Sequence, residues 1–196
     1  MTTFRQFFPV APIEPSTIEQ YAGQVPAEVV DLWRTHGAGF VGDGYFRLVD
    51  PARAAQMLDG VVGFPEKSTV LFTTALGDVV FHVNGTFMVI KFRYGVIDLV
   101  PTDRSFVDLA AMIEQPELRG SAFEWDPYPA AVANRQEGVP GFEQCYGFVP
   151  ILALGGRPGP ENLQLVGLYE HIAVITQMAG MPQLRGFLPT PDAGRT

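Results

Sequence analysis

Cys145 could act as a nucleophile if the fold brought His171 or His82 beside it as a base, because the thiolate and not the thiol attacks. Its sequence neighbours argue against this: Tyr146, Phe148, Val149 and Ile151 are apolar or aromatic, and a thiol among them packs as a small hydrophobe. His36, His82 and His171 are far apart, and no HExxH, paired cysteines or aspartate-rich loop sets a metal-ligand spacing. Structural roles suffice for all three. Asp43, Asp50, Asp59 and Asp78 could supply the carboxylate pair that acid–base chemistry needs. Asp50, however, precedes a proline that opens a helix, and Asp43 and Asp78 sit beside turn glycines, where Asp is locally favoured. Gly37, Gly39 and Gly42 match G-x-G-x-x-G but follow a helix and precede a strand. That inverts the order that presents pyrophosphate to a helix N-terminus. No catalytic residue, cofactor or metal is expected, and the chain reads as a binding protein, not an enzyme.

Its charge balance points the same way. Thirteen Lys and Arg against 21 Asp and Glu leave a net charge of −8 with no cationic block. Clustered cations supply most affinity for phosphate backbones, so direct nucleic-acid binding is disfavoured. A net negative charge keeps a protein soluble and also attracts a basic protein partner. The most apolar stretch, LQLVGLYEHIAVITQMAGM, is interrupted by Glu170, His171 and Gln177, so no membrane span is expected. Proline breaks the N-terminal segment before an apolar signal region develops, and a single cysteine fits a reducing compartment. The expected location is the cytoplasm.

With 47% hydrophobic and 17% charged residues, the chain can bury one large core or two lobes that share one. Ser16 and Glu19 have capping-box spacing for a short helix through Tyr21. Pro26 opens a helix to about His36 that turns Trp33 inward, and Gly37 ends it. A glycine-rich turn leads to a strand near Tyr45 to Val49, then Asp50-Pro51 caps a helix through Leu58. From Thr69 the period becomes strand-like in TVLFTTA, DVVFHV, TFMVIKF and VIDLV, an antiparallel meander with a type I′ turn at Asn84-Gly85. Asp103 can cap a helix that Pro116 stops, and a short helix is expected around Ala130 to Arg135. A last helix carries Leu165, Leu168, Tyr169, Ile172, Ile175 and Ala179 on one stripe, closed by Gly180 and Pro182. Strands followed by helices predict an α+β fold: a mainly antiparallel sheet with helices packed on it and a helical C-terminal part.

The ordered segments VPAEVVDLWRTHGAGFVGDGYFRLVDPARAAQML, TTALGDVVFHVNG, EQCYGFVPILALGG and ENLQLVGLYEHIAVITQM resemble the GAD-like domain proteins. These look like the type VI secretion immunity proteins that neutralise a co-encoded DNase toxin. A fainter resemblance runs to the SMI1/KNR4-like immunity and scaffold proteins. The resemblance implies an N-terminal arm and first cap over 1–19, a GAD-like α+β domain over 20–120, an immunity-associated region over 121–180 and a tail over 181–196. It brings no catalytic residues. Its motif positions, Trp33, Gly37, Gly39, Gly77, Asp78, Cys145, Tyr146, Gly147, Phe148, Pro150, Gly155 and Gly156, are read as structural. Asp43, Asp59 and Glu66 are the expected partner-binding carboxylates. The partner implied is a basic nuclease toxin; a regulatory or scaffold module without a toxin is the alternative.

Overall fold

Strand-forming residues at period two produce the centre of the molecule. The computed structural model describes residues 4–101, 105–134 and 138–188. Its strands are β1 (Phe7–Ala11), β2 (Ala38–Val41), β3 (Phe46–Leu48), β4 (Thr69–Thr74), β5 (Val79–Val83), β6 (Thr86–Lys91), β7 (Val96–Leu99), β8 (Gln144–Phe148), β9 (Leu163–Gly167) and β10 (Gln183–Phe187). Eight of them form one sheet in the order β1-β2-β3-β4-β5-β6-β7-β10, while β8 and β9 form a separate antiparallel pair. Every pairing in the large sheet is antiparallel except β7 with β10.

The helices are α1 (Pro15–Tyr21), α2 (Ala27–His36), α3 (Pro51–Leu58), α4 (Phe106–Glu114), α5 (Pro116–Phe123), α6 (Pro127–Asn134) and α7 (Leu168–Ala179). Alternation along the strands gives the sheet two apolar faces. Phe72, Val80 and Val89 face one core with Ile18, Trp33, Phe106 and Phe123, so α1, α2, α4 and α5 cover that side. Val70, Phe81 and Ile90 face the other, with Ala54 and Leu58 of α3 and Ile172 and Ile175 of α7. The register shift between Val70 and Phe72 accounts for the change of face along β4.

Most of the expected elements form. Asn84 and Gly85 take φ of 49° and 80°, as a type I′ turn requires, and His82 opposes Phe87 across the hairpin. Asp50 Oδ1 accepts from the Ala52 and Arg53 amides at 2.9 and 3.2 Å, capping α3. Five details differ. Ser16 caps nothing, because Pro15 already occupies the first turn of α1 and Glu14 is the N-cap residue. The stretch taken as a glycine-rich turn contains β2, whose Gly39 lets β1 lie close enough to pair: a Cβ there would meet Phe8 O at 2.5 Å. Leu165 lies on β9, and α7 starts three residues later at Leu168. Residues 183–187, read as tail, are β10. Asp103 and Arg135 lie outside the described residues; the N-cap of α4 is Ser105, in a complete capping box with Asp108.

Candidate functional site

The two-stranded β8–β9 unit docks on the turn that joins β4 to β5. The Tyr146 amide donates to Ala75 O at 2.7 Å, which hangs β8 on that turn. A Cβ at Gly77 would stand 3.4 Å from Cys145 Sγ and 3.8 Å from His171 Cδ2, so thiol and imidazole flank the same point of backbone. Gly147 lies flat against the His171 ring, and any side chain there would collide with it. Sequence reasoning thus placed Gly77, Asp78, Cys145, Tyr146 and Gly147 in short separate motifs, and the fold brings them together at one seam.

The chemistry of the seam is that of a closed interior. Cys145 is fully buried, and burial pushes its thiol up to about 12, while burial lowers the pKa of His171. Both shifts favour the neutral forms, the reverse of a thiolate–imidazolium pair. The void beside His171 and Arg93 measures about 10 Å³, room for about one water. Among the described residues no group of three or more His, Cys, Asp or Glu is placed to hold a metal ion.

Two sets of buried charges tie the seam together, and neither was anticipated from sequence. In the first, Asp78 Oδ2 lies 3.0 Å from Arg93 Nη2. This is a charge contact without hydrogen-bond alignment, since both Asp78 oxygens lack a hydrogen-bond partner. Arg93 spends its donors on Phe123 O at 2.8 Å and Glu124 O at 3.1 Å, the carbonyls that end α5. Burial pushes Asp78 up to about 6, against the pull of Arg93 and then Lys91. Arg47, also fully buried, donates to Pro140 O at 3.2 Å and Gly141 O at 3.4 Å, and burial lowers it to about 10.

The second set forms a clasp across β6, β7, α5 and β10. Lys91 Nζ lies 3.1 Å from Asp98 Oδ2 and 2.6 Å from Glu124 Oε2. Arg185 grips Asp98 with two bonds, Nε to Oδ1 at 2.7 Å and Nη2 to Oδ2 at 2.5 Å, and also reaches Glu124 at 3.4 Å. Glu124 occupies a left-handed conformation, φ 50°, which turns its carboxylate back over Lys91. The available signal was a Lys and an Asp in otherwise apolar strand runs, VIKF and VIDLV.

The expected partner-binding carboxylates do not converge. Asp43 is exposed but bound by Arg119 Nη1 at 2.8 and 2.6 Å, and it also accepts from the Tyr45 amide at 3.2 Å. Asp59 and Glu66 are exposed in the segment between α3 and β4. Trp33 is buried on the inner face of α2; Gly37, φ 66°, ends that helix with its amide on Trp33 O. Pro150, Gly155 and Gly156 belong to the connection from β8 to β9, with Gly155 closing its short helical turn. His82 donates from Nδ1 to Gln24 O at 2.7 Å, a structural bond.

Comparison with known proteins adds a division of the chain. Residues 1–94 match the GAD-like domain, and residues 103–179 match the C-terminal part of T6SS immunity protein Tdi1. The chain thus resembles the two families in turn, the first in its N-terminal half and the second in its C-terminal half. Asp78, Lys91 and Arg93 fall in the segment that matches the GAD-like model, and Glu124, Cys145, Gly147 and His171 in the segment that matches the Tdi1 model, so the seam is where the two matched segments meet. Asp98 lies between the two matched segments and Arg185 beyond both, so the clasp pins connector and C-terminal strand to the pair. The fold itself is shared with the crystal structure of Atu4351 from Agrobacterium tumefaciens, at a TM-score of 0.73 and 19% identity over 89% of this chain and 85% of that one. No curated protein matches the sequence. Immunity-protein families are generally non-catalytic, and no helix among the described residues is long and apolar enough to cross a membrane.

Proposed function

We propose that this protein is a type VI secretion immunity protein that binds a co-encoded nuclease toxin in the cytosol and neutralises it without doing chemistry itself. The observation that carries the reading is the match of residues 103–179 to the immunity protein's C-terminal part, joined to a GAD-like domain by a shared buried seam. Two further features support it. The thiol and imidazole that could have made an active site are held neutral and enclosed. The net charge of −8 favours rapid association with a basic nuclease surface. Asp59 and Glu66, exposed in the loop before β4, contribute to that steering, and Asp43 does so from its rim position beside Arg119.

The test uses the purified chain and the product of the reading frame beside its gene. A stoichiometric complex that weakens with salt and abolishes DNA cleavage is expected. Undiminished cleavage by a nuclease held in stoichiometric complex would sink the neutralising role. A neighbouring product with no nuclease activity would favour a regulatory or scaffold module instead.

A further inference from the structure

The eight-stranded sheet has two edges, and they are finished differently. β1 carries Pro9, which has no amide to offer an incoming strand. β10 carries no proline, and its one charged side chain, Arg185, is turned inward onto Asp98 and Glu124. Among the described residues, β1 thus bears a proline that bars a new strand, while β10 has only its inward Arg185 and a register shift, and no proline or outward charge, to protect it.

The same strand displays Leu184 and Phe187, 65% and 62% exposed, the most exposed large apolar side chains among the described residues. Three positions apart, they would normally straddle a strand, but the register shifts between Leu184 and Gly186. Leu184 therefore opposes Ile97 and Phe187 opposes Leu99, and in β7 those two residues share a face. The Gln183 and Leu188 amides donate inward, to Gly95 O at 3.0 Å and Leu99 O at 2.7 Å. By alternation the Phe187 amide points to the open side.

We propose that β10 is a docking edge to which the protein partner adds an extended strand, laying apolar side chains over Leu184 and Phe187. This rests on the immunity reading and names the surface it would use. An open row of backbone groups is satisfied best by another polypeptide backbone. A second copy of this chain is the poorer occupant. A five-residue edge with two apolar side chains per copy falls well short of the roughly 1,200 Å² of a stable interface. Two copies would also bring together two net charges of −8. A basic partner meets no such repulsion and can extend past the edge. Its strand is apolar on the Leu184 side and polar on the other, where it lies beside Arg185 and Glu124.

The experiment measures binding of the adjacent gene's product to the full chain and to Leu184→Asp and Phe187→Asp, with Val107→Asp on α4 as control, since Val107 is also exposed, at 52%. Each β10 variant is expected to weaken binding by about tenfold or more, as loss of a buried anchor does, and the control to leave it unchanged. Amide exchange in the wild-type complex is expected to slow at Phe187 and not along β1. Leu184→Ser and Phe187→Ser, milder changes checked by circular dichroism, separate lost docking from lost folding. A complex that still neutralises the toxin, with β10 amides unprotected and all variants binding like wild type, overturns the docking edge alone. Failure of wild type to bind overturns the edge and the immunity reading together. A wild-type dimer abolished by the β10 variants overturns the proposal in favour of a second copy.

Discussion

Asp78, in the turn before β5, and Asp98, on β7, are both buried carboxylates, each 1% exposed in its side chain, yet their acidities move in opposite directions. Burial drives Asp78 up to about 6. At Asp98 burial pushes the same way, but the two Arg185 hydrogen bonds and then the charge of Lys91 outweigh it and lower the pKa. The difference lies in the company each keeps. Asp78 has one contacting cation, and Arg93 points its hydrogen bonds at the α5 carbonyls. Asp98 is gripped by one cation through two bonds and touched by a second. Depth alone does not decide whether a buried charge stabilises; the number of aligned donors does.

Removing the centre of the better-paired set tests this most severely. Asp98→Ala leaves both fully buried Lys91 and Arg185 with Glu124 as their remaining shared partner, and a loss of about 3–5 kcal/mol in urea unfolding is expected. Lys91→Met sharpens the point: with one cation gone, Asp98 should titrate higher, toward the behaviour of Asp78. At Asp78 the sign reverses. A carboxylate raised from 3.8 to about 6 binds more protons folded than unfolded, so its contribution to stability falls as pH rises from about 4 through 6. Asp78→Asn keeps the neutral shape and lacks that loss. Measured against wild type, the variant should gain on the order of 3 kcal/mol between pH 4 and pH 7. A difference that is flat with pH would mean that Arg93 fully compensates the buried charge. Asp98 and Glu124, both lowered, do the reverse: their contribution is present above the unfolded values near 4 and is lost as pH falls through the folded ones.

These charges also mark how far the sequence could be read. The meander, the Asn84-Gly85 hairpin and the Asp50-Pro51 cap were legible because period-two patterning and turn chemistry are local. β2 was missed because its four residues, AGFV, are bracketed by glycines that also spell a turn; what makes them a strand is β1 arriving from far away in sequence. Leu165 fitted the stripe of the last helix because a short apolar strand running into a helix preserves an apparent helical spacing. β10 has no pattern of its own, since its residues are mostly exposed and its partner β7 lies far away in sequence, 87 residues apart at Asp98 and Arg185. The motif glycines and Cys145 were identified as structural without their meeting place, because nothing local says that Gly77 and Gly147 face one histidine. Lys91 and Asp98 stood out as charges in apolar runs, but their partners come from α5 and β10.

Smaller effects are expected where the same kinds of pair reach water. Arg185 is 41% exposed in its side chain, so Arg185→Ala should cost only about 1 kcal/mol and cost less at high salt, while Asp98 keeps Lys91. If that variant were as damaging as Asp98→Ala, access to water would not weaken the two aligned Arg185 bonds. The smallest change belongs to Asp43, whose ion pair with Arg119 runs from one guanidinium nitrogen to both oxygens and is 42% exposed on the carboxylate side. Asp43→Asn preserves the acceptor for the Tyr45 amide and removes a screened charge, so thermal unfolding should shift by less than about 1 kcal/mol. A larger loss would show that Arg119, itself 8% exposed and stacked 4.1 Å over Trp125, depends on Asp43 as fully as Lys91 depends on its carboxylates. In that case the division between buried and rim pairs would have to be drawn by the burial of the cation, not of the acid.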